Sequence, residues 1–559
     1  MRTHIMKISP IVLLLGCSLF AHAQTGGKEG NVGNEDINIV KDYQPVLNDA
    51  FKINISPDQD TISFRSPAAL TYKADPKPMN AAFNTRPIKP VRIKDDVIKK
   101  LYHGWIKAGY GLENMPLLDI SYNALRSKNF DAGVRFNHLS ASGKIKDYGQ
   151  PASSLNKLNV FGTRYFEKFS LGAALGYRRD LVHYYGYKSP PDLYSKSETR
   201  RAMDDINGNV SLASINKSKD EWTYSAGLDF YNFRDNRKNN ENNVRLEARG
   251  SKLMNNAVFS MTASFEGGKI SEDLFEYNRS IFRLKPTFTF SKDQILLTAG
   301  GNLAYEVNNG SGAMRIYPVA RAEYQVINDA FKILAEASGD LERNDLRALS
   351  RENPFLDKTI ALTNTNRKLT VMGGLSVKLE HDLMFIGEVS YGRYRNMPFF
   401  INYYDSLFPV TYTTYYDNVN LLRIKGALEY KQGEKVSAAV SAEYNKYDTD
   451  HLSEAIYKPA FRFGLNGHYN ISDKIYLKAD VTYNSDMTGI QYTATDSTVS
   501  STKINLKGWL DFSLGIDYRY SKVLSVWVQL NNVAFAQYYR WYEYPSYRFL
   551  GLAGFTYSF

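Results

Sequence analysis

The sequence predicts an all-β fold: a transmembrane antiparallel β-barrel of about 22 strands behind a short, partly irregular N-terminal segment. Three observations carry that prediction. From His103 onward apolar and polar residues alternate with period two, as in strands with one apolar and one hydrated face. Tight polar turns alternate with other connectors, many of them long. The last strand places aromatics on one face and ends at Phe559.

The elements follow in chain order. Residues 1–23 read as a secretory signal: Arg2 and Lys7 are basic, Ile8 to Phe20 apolar, and Ala21-His22-Ala23 is a small-x-small cleavage site before Gln24. The apolar run is shorter than the roughly 20 residues a spanning helix needs. Leu14-Leu15-Gly16-Cys17 offers a rival lipoprotein-type site, but the apolar stretch continues past it to Ala23. Cys17 is the only cysteine and falls inside the signal, so the exported chain is expected to have no disulfide and no thiolate metal site.

Residues 24–102 carry Pro45, Pro57, Pro67, Pro76, Pro78, Pro87 and Pro90, each removing a backbone donor and fixing φ. The span is expected to be a proline-rich periplasmic or lumen-lining segment, and to be where a periplasmic or lipoprotein partner would dock.

Residues 103–559 are the expected barrel. In Phe282 to Phe290, Phe282, Leu284, Phe288 and Phe290 alternate with Arg283, Lys285, Thr287 and Thr289. The stretch from Asn505 to Tyr520 repeats the pattern, with Leu506, Leu510, Phe512, Leu514, Ile516 and Tyr518 on the apolar side. Short turns are expected around 127–129, 217–220, 254–256, 291–293, 327–329, 380–382, 432–434, 471–473 and 520–522. The long connectors are expected at 141–154, 182–203, 344–365, 398–417, 485–502 and 535–546. An even strand count would return both ends of the barrel to the periplasm.

Composition agrees with a barrel in lipid. Tyr 41, Phe 30 and Gly 38 are high counts, and a mean hydropathy of −0.40 is what results when half of each strand faces water. The net charge of +11 comes from basic residues interleaved with acidic ones, which excludes nucleic acid as a partner. Outer-membrane lipid and lipopolysaccharide are the expected surroundings.

Leu530-Asn531-Asn532-Val533, Tyr538-Tyr539, Trp541, Tyr544-Pro545, Arg548 and Gly551, closing on Phe555, Tyr557 and Phe559, resemble the last two strands of TonB-dependent receptors. The terminal aromatics Phe555, Tyr557 and Phe559 look like the signal that barrel-assembly machinery reads in its clients. The resemblance implies a cell outer membrane location and a channel or receptor-like transport function for an unidentified solute. The signal and the Tyr/Asn-rich loops look like those of Bacteroidota proteins. One departure stands out: residues 24–102 lack the glycine- and arginine-rich motifs of that family's plug domain, although Asp36 to Val40 resembles its TonB-contacting segment. The alternative reading is a non-conducting scaffold or accessory subunit of an outer-membrane secretion or assembly complex.

Candidate sites divide into two groups. Phe399, Phe400, Tyr403, Tyr404, Tyr412, Tyr415 and Tyr416 form an aromatic extracellular segment, suited either to binding or to packed loops and an interfacial girdle. Arg283, Lys285, Arg423, Lys425 and Arg462 are expected lumen charges that pair across strands or select an anionic solute. Asp448, Asp450, His451 and Glu454 read as a metal-binding or merely solvated loop. No Gly-x-Ser-x-Gly elbow or His-Glu-x-x-His helix occurs, so no catalytic residue, metal or cofactor is expected.

Overall fold

A computed structural model of the chain describes residues 101–125, 127–188, 193–215, 221–272, 275–404, 410–495 and 498–559. The expected signal, its cleavage site at Ala21, Ala23 and Gln24, and nearly all of the span 24–102 lie outside these residues.

Period-two patterning becomes a closed antiparallel barrel of 22 strands. Its first strand, Gly104–Gly111, pairs with Met115–Asn123 on one side and with the last strand, Leu550–Ser558, on the other, so no edge remains open. Each intervening strand pairs with its sequence neighbours except at two places. Ile475–Asn484 pairs directly with Trp509–Arg519, with a hairpin of Met487–Thr495 and Thr498–Leu506 between them in sequence. Leu524–Asn531 pairs directly with Leu550–Ser558, with the short hairpin of Tyr539–Trp541 and Tyr544–Pro545 between them.

The outer face is apolar because pairing aligns one hydrophobic residue per strand. Val210, Leu228, Leu246, Phe265, Phe282, Tyr305 and Met314 follow one another across seven strands in register, all exposed. One residue along, Glu247, Ser264, Arg283, Ala304 and Arg315 line the other face in the same register. Such a row of exposed apolar side chains is stable only against lipid, since water would penalise each by about 1.5–3 kcal/mol.

The seam that closes the barrel is built around glycines. Gly109, Gly554 and Trp527 share one register row across the first, last and penultimate strands. The Trp527 indole lies over both glycines on the lumen side, with Lys107 Nζ 4.3 Å above its ring. A β-carbon on Gly554 would stand 2.6 Å from Trp527 Cζ2 and collide with the Ala108 carbonyl oxygen, so only glycine fits. On the outside, Phe555 and Tyr557 are exposed, and Phe559 stacks on Tyr122 at 6.3 Å. Backbone bonds Gly104 N to Phe559 O (3.1 Å) and Phe559 N to Gly104 O (3.0 Å) lock the end of the seam.

Tight turns at the end where the chain enters use left-handed residues: Asn255 (φ 55°), Asp293 (50°), Asp329 (58°) and Gly433 (52°). The opposite end holds the long connectors 142–152, 184–199, 343–364, 450–460 and 532–549, together with a few short ones such as Asn309-Gly310.

Two expected loops are strands instead. The segment 398–417 belongs mostly to Leu383–Tyr404 and Thr411–Gln432, each 22 residues long. At about 3.4 Å per residue these reach some 70 Å, whereas crossing the bilayer takes only about 9–11 residues, so the pair rises well above the membrane. The segment 485–502 is largely the hairpin. Its Met487–Thr495 strand adds in parallel to the raised tip, Asn402 opposite Gln491. The continuous strand expected over 505–520 breaks at Lys507-Gly508, where the Asp486 carboxylate accepts the Gly508 N–H at 2.6 Å. Leu506 therefore belongs to the extracellular hairpin, buried, and does not face lipid.

Candidate functional site

The extracellular mouth is where the barrel departs from repetition. Connector 343–364 leaves the strand Phe331–Glu342 and turns inward, and its ends are tied by Asn344 Nδ2 donating to the Thr363 carbonyl at 2.7 Å. It carries the helix Leu346–Glu352, started by the Asp345 carboxylate accepting the Ala348 N–H at 2.6 Å, as an N-cap should.

The base of this connector is ionic. Arg343 lies between Glu241 (3.8 Å) and Glu266 (3.7 Å). The Arg347 backbone donates to Glu241 at 3.1 Å, and its guanidinium lies 3.6 Å over the Tyr231 ring. Arg347 and Arg351 both reach Asp205. From the wall, fully buried Arg201 bonds Asp235 (3.0 Å), Ser350 Oγ (3.1 Å) and the Pro354 carbonyl (3.0 Å). Arg279 donates to the Asn344 carbonyl at 2.6 Å and to Asn364. Asp205 and Arg201 share one strand, and Glu241 and Arg279 belong to two others, so the helix is docked against the inside of the wall rather than left in solvent. Removing one partner of such a buried set costs about 3–5 kcal/mol, because the other charge is stranded.

The far part of the connector is aromatic and apolar. Phe355 stacks on Tyr544 with centroids 3.6 Å apart and planes at 15°, and Tyr185 meets both edge-on. Backbone bonds between Phe355, Asp357 and Tyr412 (3.0 and 2.8 Å) extend the connector along the raised strand. Four tyrosine hydroxyls here have backbone acceptors: Tyr184 to the Leu356 carbonyl (2.5 Å), Tyr185 to Pro545 (2.9 Å), Tyr544 to Val410 (2.6 Å) and Tyr412 to Tyr542 (2.8 Å). Burial pushes Tyr184, Tyr185 and Tyr544 up from the ordinary phenol range, which keeps them protonated donors. Leu356, Ile360, Phe399, Phe400, Ile456 and Trp541 complete a hydrophobic core drawn from loops and strand tips.

The aromatic candidates divide accordingly. Phe399, Phe400 and Tyr412 are buried in this cap, Phe400 edge-on to Trp541 at 5.2 Å. Tyr415 is half-buried and packs against it, while the half-buried Tyr416 donates to the Ala361 carbonyl at 3.0 Å. The side chains of Tyr403 and Tyr404 lie outside the described residues. Three of the seven thus stand inside a packed core rather than on a ligand-facing surface.

The lumen charges also separate. Arg283 contacts Glu266 (3.6 Å), Asp340 (3.5 Å) and the Leu341 carbonyl (2.6 Å); Arg423 bonds Asn445 (2.9 Å) with Glu443 at 3.7 Å. Lys285, Lys425 and Arg462 close no ion pair among the described residues. The carboxylates of the 448–454 stretch point apart: Asp448 accepts from Asn420, Asp450 from Asn418, and Glu454 from Thr488 and Lys503. His451 Nδ1 lies 2.7 Å from Asp417, whose carboxylate raises the imidazole above its usual pKa. Among the described residues no three metal-ligating side chains converge.

Sequence reasoning missed the ionic base of the cap. Its one visible signal was local: Asp345 ahead of Leu346 and Leu349, with Arg343, Arg347 and Arg351 four residues apart. Their carboxylate partners Asp205, Glu241 and Glu266, on three distant strands, gave no signal.

The closed barrel of 22 strands, with an apolar exterior, a charged interior and long connectors folded over one mouth, is similar in fold to solved outer-membrane siderophore and iron receptors. The solved structures it resembles include the FrpB iron transporter of Neisseria meningitidis, with TM-score 0.63 and 11% identity over 83% of this chain and 82% of that one. The siderophore receptor PirA of Acinetobacter baumannii gives TM-score 0.61 and 9% identity over 83% and 81%. The pyoverdine outer membrane receptor FpvA of Pseudomonas aeruginosa gives 0.60 and 12% over 82% and 79%. At these identities the likeness is one of fold. No protein-family model matches the sequence, and no curated protein does.

Proposed function

We infer that the protein is an outer-membrane receptor and conduit that takes a solute at the extracellular mouth and passes it along the charged lumen. The observation that carries this reading is the connector 343–364, folded into the mouth and held by charges on the lumen wall, where it governs entry. A barrel used only as a scaffold has no need of an internally braced mouth.

In the same reading the precursor is cut after Ala23, residues 24–102 serve as a periplasmic or lumen-lining segment, and transport does not depend on a plug of the usual kind. Phe555, Tyr557 and Phe559 present the aromatic face that assembly machinery would engage.

Because Asn344 and Thr363 are already joined by a hydrogen bond, residues 345–362 can be replaced by a short Gly-Ser linker without separating the flanking strands. Single-channel conductance in planar bilayers is expected to rise several-fold on this replacement. A folded barrel that stays non-conducting with and without the connector would overturn the conduit reading in favour of a scaffold.

A further inference from the structure

Beneath the cap, on the lumen side, lies a cavity of about 330 Å³ whose walls include Arg462, Arg540, Lys458, Trp541, Trp509 and Tyr538. Lumen placement follows from the register. Arg462 stands opposite Asn484, which stands opposite Trp509, while the alternate residues Phe461 and Leu510 are exposed on the outer face.

Its charge is unbalanced. Glu352 is the one carboxylate on the wall and is held by Lys458 at 2.9 Å. Glu443 stands opposite Arg462 in the strand register, yet it accepts from Asn445 (2.7 Å) and lies 3.7 Å from Arg423. Asp511 accepts the Tyr538 hydroxyl at 2.9 Å. Arg462 and Arg540 consequently have no ion-pair partner among the described residues. The Trp509 Nε1 donor, buried, has no acceptor among the described residues. Two guanidinium groups present planar donor forks that match carboxylate or phosphate oxygens, and they sit next to flat aromatic walls.

We propose that Arg462 and Arg540 form an oxyanion subsite on the underside of the cap, which takes the carboxylate or phosphate group of a solute while Trp509, Tyr538 and Trp541 border its ring or sugar body. The proposal deepens the conduit reading by naming the class of solute: an organic acid or phosphate ester carrying a ring. Lys458 adds positive potential at the rim, and Glu352 keeps that lysine in place.

The test uses the full chain in detergent micelles, titrated with glucuronate, glucose and inorganic phosphate. Binding is read by calorimetry and by fluorescence of the tryptophans at the cavity. Saturable glucuronate binding without glucose binding is expected, with R462Q/R540Q weakening it about tenfold or more and Lys168→Gln, in a turn at the other end of the barrel, leaving it unchanged. Phosphate binding with the same arginine dependence supports the subsite and assigns inorganic or ester phosphate as its source. Equal binding of glucose and glucuronate, no binding of either anion, or an unchanged affinity in R462Q/R540Q would each overturn it. Heat-modifiable mobility on gels checks that the variants are folded, and the single variants R462K and R540K, which keep charge but lose the fork, should fall between wild type and the double variant. The two readings fail separately. Arginine-dependent binding in a barrel that never conducts keeps the subsite and removes the conduit; conductance without anion binding does the reverse.

Discussion

The barrel wall and the cap over its mouth are built by opposite rules. In the wall each residue's environment follows from its parity: Phe265 and Phe282 face lipid, and their neighbours Ser264 and Arg283 face the lumen, because side chains alternate along a paired strand. In the cap no period operates. Phe355, Tyr544, Phe400 and Trp541 come from three separate segments and meet only because the strands beneath them bring their connectors together. The wall also keeps its polar groups on a hydrated inner face, whereas the base of the cap buries arginines and carboxylates that must find one another. The lesson is that one chain carries two kinds of core, a repetitive one stabilised by lipid and an irregular one stabilised by aromatic packing and buried charge.

This contrast can be broken first at the wall. Gly554→Val places a side chain against the Ala108 carbonyl and the Trp527 ring at the closing seam. The expected result is loss of the folded, heat-modifiable species, since a barrel that does not close exposes two strand edges. A normally folded variant would show that the seam tolerates what the wall rule forbids.

Phe355→Ala should have a smaller and local effect. Removing a buried aromatic costs about 3–5 kcal/mol, here charged to the cap: proteolysis within 343–364 and hydrogen exchange at the mouth should increase while barrel assembly and mobility stay normal. Failure of the barrel to assemble would mean that wall and cap are one cooperative unit.

The weakest expected effect lies where the two meet. His451 is exposed and held by the Asp417 carboxylate, so its folded pKa lies above its ordinary one. The contact is therefore fully present below about pH 6.5 and is lost as pH rises through the raised value. Protection factors in 450–460, which divide out the intrinsic rise of amide exchange with pH, should fall modestly from about pH 6 to about pH 8.5, and His451→Gln should remove that difference. The change stays small because Asp417 also accepts the backbone N–H groups of His451 (2.9 Å) and Leu452 (2.8 Å).

Legibility in the sequence follows the same division. Alternation was readable at Phe282 to Phe290 because strand period is a local property, and the turns at 254–256 and 291–293 were readable because left-handed Asn255 and Asp293 favour those residue types. The raised hairpin through 398–417 carries no strand signal in the sequence because its aromatics lack a polar alternate face once both faces are covered. Leu506 shares the apolar side with Leu510 in the sequence pattern because a two-residue break at Lys507-Gly508 preserves apparent parity.

By itself, the sequence determined the all-β class, the period-two alternation of the wall and a count of about 22, because pairing with neighbours in order is the topology that satisfies every backbone donor in a membrane. Tertiary structure alone decided that connector 343–364 folds into the mouth, that Asp205, Glu241 and Arg201 receive it, and that Arg462 and Arg540 share one cavity. These contacts join residues far apart in the chain, and their partners are selected by the curvature of the closed wall, which no local pattern encodes.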